Sequence, residues 1–144
     1  MSLRNAGRIA VAFFIGLAGY VHYRIWKLEY RHAPVREMFV ANWVLSAVVA
    51  IGLLVVVLVP SVRRVADRPL LLGALLLSLG SIVAFVLSRG PGLPTLQGTF
   101  EETGLETTSE YVFHLGSAKV ILVSEAVAAV LSGALLLPRR RIRS

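Results

Sequence analysis

The sequence predicts an all-α fold, a four-transmembrane-helix bundle with N- and C-termini cytoplasmic, built as a single domain over residues 1–144. Three observations predict it. Four long apolar stretches take up most of the chain. The mean hydropathy is +0.75 with 56% hydrophobic residues, far above a soluble average. The basic residues gather at alternate ends of those stretches, as cytoplasmic flanks do.

The spans fall at about 9–26, 38–59, 70–88 and 117–137. Each comes close to the ~20 apolar residues that an α-helix needs to cross a ~30 Å hydrocarbon core. A chain of 144 residues is too short to bury four such helices in a water-soluble core. Transmembrane β-strands would alternate polar with apolar, and the run from Ile51 to Val59 does not alternate. The first span follows Arg4 and Arg8 as a signal peptide would. Its apolar run continues through Tyr20 and Val21 without a small-x-small cleavage site, so it is expected to stay as a span.

Between the spans, Ser61 to Pro69 reads as a short basic turn, with Pro69 in the first turn of the third helix. Lys27 to Glu37 is expected to prolong the first helix beyond the membrane surface until Pro34 interrupts it. The long acidic outer loop, 90–111, opens with Gly90-Pro-Gly-Leu-Pro94 and carries Glu101, Glu102, Glu106 and Glu110. Leu93, Leu96, Phe100, Leu105, Tyr111 and Phe113 give this segment apolar side chains to pack against the helix ends.

Arg4, Arg8, Arg63, Arg64, Arg68, Arg139, Arg140, Arg141 and Arg143 place nine of the fifteen Lys and Arg on one side, the cytoplasmic side of a bacterial plasma membrane. Arg24, Lys27, Arg31 and Arg36 crowd the opposite side, where the acidic loop offsets them. The formal net charge of +7 does not indicate nucleic-acid binding, because anionic lipid headgroups already account for arginines that flank helix ends. The absence of cysteine excludes disulfides, thiolate metal sites and Cys-x-x-Cys redox chemistry. No phosphate-binding glycine loop, zinc-protease helix or nucleophile elbow is present, so no catalytic residue is assigned and an enzyme is not the expected reading.

The functional candidates are the few polar groups set into apolar helices. With 1.5 Å of rise per residue, His22 lies roughly 7 Å, Asn42 roughly 10 Å and Glu125 roughly 3 Å outward of the centres of their spans. Arg89, at the outer end of the third span, has the reach to turn toward the same level. A carboxylate near the bilayer centre costs ~2.5–3.5 kcal/mol even on the lenient insertion scale. Glu125 is therefore expected to face the bundle and to be neutralised by a proton, by His22 or Arg89, or by a ligand. Ala118, Ala128, Ala129 and Ser132 share its helix face, a small-residue stripe suited to close packing, and Gly73, Gly80 and Ala84 form a similar stripe on the third span. Each candidate also has a plainer reading. His22 belongs to an interfacial belt with Tyr20, Tyr23 and Trp26, and Asn42 suits an interhelical hydrogen bond. Serines 46, 78, 81, 124 and 132 can bond their own backbones and carry little signal.

Gly19-Tyr-Val-His22, Tyr30-Arg31, Ala33-Pro34 and Met38-Phe39 leading to Asn42, with Leu87-Ser88-Arg89, Gly92-Leu93-Pro94 and a glutamate in the fourth span, resemble a family of small four-span integral membrane proteins from actinobacteria. The similarity covers nearly the whole chain. Thirteen arginines against two lysines fit the high-GC coding of such organisms. The family has no assigned activity, so the resemblance implies topology and location and leaves function open.

Two classes of function follow. The first is a non-enzymatic integral membrane protein: a binder of a lipid-like or other small molecule, or a subunit joined to a membrane-protein partner or to further copies of itself, with a polar pocket at His22, Asn42, Arg89, Glu125 and the Gly90–Pro94 turn. The second is a membrane redox protein binding haem or copper through the outer-side histidines His22 and His114, which a Soret band would reveal. Proton-coupled transport through Glu125 and His22 is a third reading, and one requiring an oligomer.

Overall fold

The computed structural model describes residues 2–27, 36–89 and 117–138. They form helices α1 (Leu3–Ile25), α2 (Arg36–Leu58), α3 (Pro60–Arg89) and α4 (Ser117–Leu136), with no strand among the described residues. All four are long and apolar enough to cross a membrane. The all-helical expectation therefore holds, and the four helices mark a multi-pass membrane protein.

Each helix packs on its neighbour along the chain, α4 returns to close the ring against α1, and α1 and α3 stand diagonally. The beginning of α1 lies beside the end of α4, where the Arg4 guanidinium donates to the Leu135 carbonyl at 2.6 Å. Arg63 does the same for α2, donating to the carbonyls of Val56 and Val57 at 3.2 and 3.3 Å. Carbonyls in the last turn of a helix have no intrahelical partner, and these arginines supply one. Two of the arginines on which the expected orientation rests thus cap helices.

α1 starts earlier than its apolar run because Ser2 caps it, its hydroxyl accepting from the Asn5 N–H at 3.3 Å. The basic turn expected from Ser61 to Pro69 is helical instead: α3 begins at Pro60, with Val59 alone between it and the end of α2, and passes through Pro69. Pro60 suits the first helical position, where its missing N–H leaves nothing unsatisfied. Pro69 removes one backbone bond from a stretch where Val65 is 79% exposed, so the freed carbonyl meets an open surface. Most of Lys27–Glu37 and the whole of 90–111 lie outside the described residues.

The interior is small and aliphatic near α1's start, with Val11, Ala12, Ile15, Val49, Ala50, Leu53, Leu71, Ala74 and Ala128 in one cluster. Val21, Ile25 and Ile121 form a second, flanked by Phe39 and Phe85. The outside is apolar too: Phe13, Val48, Ile51, Leu76, Val123 and Val130 are each more than half exposed. So broad an apolar exterior suits lipid rather than water. Close approach of α1 to α2 depends on Gly19, since a Cβ there would collide with that of Ser46. Gly52 admits Leu70 of α3 in the same way, a Cβ at that position coming 2.8 Å from Leu70 Cδ2. The small-residue stripe of α4 is buried at Ala128, Ala129 and Ser132, with the Ala118 side chain outside the described set. The α3 stripe is corrected at Gly80, which faces open space because that face of α3 turns away from its neighbours.

Candidate functional site

Glu125 sits near the middle of α4 and is 1% exposed. Its carboxylate points to Ser81 and Ser78 on α3 and to Asn42 on α2, so three helices meet at this group. These side chains approach the carboxylate without reaching hydrogen-bond geometry, and both Glu125 oxygens are left without a partner. Ser78 is fully buried and its hydroxyl is equally unpartnered. Buried polar atoms normally find partners, and an orphaned carboxylate is among the most costly exceptions.

The surroundings extend the polar character along the bundle. Ser46, fully buried on α2, donates to the Asn42 amide oxygen at 3.3 Å and so holds that side chain in place. Ser124 donates to its own backbone at Val120, 2.7 Å away, in the expected helical manner. Ser132, two turns along α4 from Glu125, is buried and unpartnered. Asn42 and Glu125 thus come together as the sequence suggested. Ser78 and Ser81, dismissed as carrying little signal, complete the site. Their positions three apart on α3 place them on one helix face, and that spacing was the available clue.

His22 is buried on α1, and its ring lies 5.6 Å from that of Phe39, centroid to centroid. Its Nδ1–H donates to the Ala18 carbonyl at 2.8 Å, which makes Nε2 the unprotonated ring nitrogen of the neutral form. No ion pair joins His22 to Glu125 among the described residues; the ion pairs there are Arg8–Asp67 and Arg36–Glu37. Arg89 ends α3, and its side chain lies outside the described residues, as do His32, His114 and the Gly90–Pro94 turn. Of the aromatic residues expected beside His22, Tyr23 and Trp26 cluster with Trp43 at centroid separations of 5.5 to 6.5 Å, while Tyr20 is exposed. An open groove of about 650 Å³ beside it is lined by Trp26, Arg36, Glu37, Val40, Ala41, Val44 and Leu45, none of them a neighbour of Glu125.

A second polar centre lies at the other end of the bundle. Arg8, 4% exposed, makes a two-pronged pair with Asp67 across the α1–α3 diagonal, Nε to Oδ1 at 2.6 Å and Nη2 to Oδ2 at 2.7 Å. Nη1 also donates to Asn5 Oδ1 at 2.9 Å. With its donors used in this way, Arg8 is a structural tie. Asp67, the one acidic residue of a basic segment, was the sequence signal for it.

The Glu125 centre offers a carboxylate, two hydroxyls and the Asn42 amide, whose oxygen already accepts from Ser46. Among the described residues no hydrogen bond joins an imidazole to Ser78 or Ser81 to make either a nucleophile, and no group of three or more His, Asp or Glu is placed to hold a metal. The arrangement can accept a proton, a hard cation or a hydrogen-bond donor. No protein family, curated protein or solved structure matches this chain.

Proposed function

We propose that this is a non-enzymatic membrane protein of the bacterial plasma membrane, with both termini cytoplasmic, that binds a small ligand between α2, α3 and α4 at Glu125. The single observation that supports the reading is the fully buried carboxylate with two unpartnered oxygens, faced by Ser81, Ser78 and Asn42. A carboxylate without a partner at membrane depth is costly to keep, and a bound group would supply what the side chains do not. His22 and Arg89 stay in the proposed ligand-binding set on the strength of their depth in the sequence alone. The four-span actinobacterial resemblance remains part of the proposal and adds location, not activity.

Exhaustive exchange of the purified protein into ligand-free, metal-free buffer tests the reading. A ligand held at Glu125 stabilises the folded state by mass action, so its removal lowers the midpoint of thermal unfolding. The drop is expected in the wild type and absent in Glu125→Gln. Equal behaviour of the two proteins contradicts the reading.

A further inference from the structure

The Glu125 centre is walled by buried groups on α4 and at Ser78, with Ser81 and Asn42 partly exposed, and this limits what fits. Ser78 is fully buried, as is Ala128, one turn from Glu125 on α4, while Ser124 is 2% and Ala129 8% exposed. An organic molecule would have to push these apart. A bare ion needs only a turn of the serine hydroxyls and a flip of the Asn42 amide, after which Ser46 would accept from the amide nitrogen instead of donating to the oxygen.

The atom types narrow the choice further. The centre presents two carboxylate oxygens, the Ser78 and Ser81 hydroxyl oxygens and, after a flip of its amide, the Asn42 carbonyl oxygen. Hard oxygen donors of this kind favour hard cations over Zn²⁺ or Cu²⁺, which take imidazole and thiolate. Each serine can turn its proton to the carbonyl four residues earlier on α3 and leave a lone pair directed inward. Charge decides between monovalent and divalent ions. With no second carboxylate and no described cationic partner at Glu125, one positive charge makes the site neutral, whereas two would leave a net charge buried at membrane depth.

We propose that Glu125, Ser78, Ser81 and Asn42 form a binding site for a dehydrated monovalent cation of the Na⁺ class. This deepens the ligand-binding reading above and rests on it. Discontinuous helices often hold such ions in transporters by their backbone carbonyls; here side chains on three unbroken helices would do so.

The test starts from the exchanged, sodium-free protein and adds back NaCl, choline chloride or an organic extract of the source membranes. Recovery of the thermal midpoint with NaCl and not with choline chloride is the expected result. Ser78→Ala and Ser81→Ala each remove one oxygen from α3 without touching α4, and each should raise the half-restoring NaCl concentration about tenfold, the equivalent of ~1.4 kcal/mol. Recovery with the membrane extract alone overturns the cation site and leaves the ligand-binding reading standing. A wild type whose midpoint responds to neither removal nor any addition overturns both. NaCl recovery that is unchanged in Glu125→Gln and in both serine variants places the ion elsewhere and also overturns the proposal.

Discussion

Glu125 and Gly19 show how much a single side chain determines here. Glu125→Gln keeps the shape and most hydrogen bonding while removing the charge, so it should abolish ligand-dependent stabilisation with the bundle still assembled. Glu125→Leu should also fold, because an apolar residue of similar size is better accommodated among apolar helices than an unpaired charge. Size-exclusion and thermal profiles of the two variants check this. Loss of assembly in the leucine variant alone, with no effect of glutamine, would make Glu125 a structural hydrogen-bonding group. Gly19 matters for the opposite reason, since its lack of a side chain sets the α1–α2 distance. Gly19→Val should cost about 1–3 kcal/mol through overpacking, seen as a lower unfolding midpoint. The sequence made Glu125 and Asn42 legible because polar groups in apolar runs stand out. It hid Ser78 and Ser81, because a serine that bonds its own helix and one that faces a carboxylate look the same until the neighbouring helix is in place.

At the level of elements, α3 differs most from its sequence pattern. Charged residues and Pro69 suggested a turn from Ser61 to Pro69, and the chain instead winds one helix from Pro60 to Arg89. The polar first turns of that helix are held by tertiary contacts that local pattern does not report: the Arg8–Asp67 pair and the Arg63 cap on α2. Breaking the pair from one side should cost about 3 kcal/mol in Asp67→Leu, which strands the buried Arg8, and less in Arg8→Met, since the Asp67 side chain is 15% exposed. The double variant should recover most of that loss, since two apolar side chains replace two charges. A double-mutant cycle by chemical denaturation measures it, and additive losses would show that the two residues act independently.

For the molecule as a whole, the four-helix architecture was legible because span length and apolar content leave few alternatives. The pairing of helices was not, since glycine and alanine stripes occur on faces that pack and, at Gly80, on a face that does not. Orientation rests on arginine placement. The chain contains no cysteine, so single cysteines introduced at Ser61, Thr103 or Ser144 can be labelled without background. Thr103 should react with an impermeant thiol reagent in intact cells, and positions 61 and 144 should not. The reverse pattern would invert the proposed topology.

A high-resolution structure of the wild-type protein in lipid nanodiscs, in NaCl, tests the central claim most directly. The account predicts density for a bound group between the Glu125 carboxylate and the oxygens of Ser78, Ser81 and Asn42, with α2, α3 and α4 placed as described. Glu125 turned out toward lipid, or its oxygens bonded directly to both serine hydroxyls with nothing between them, would contradict it.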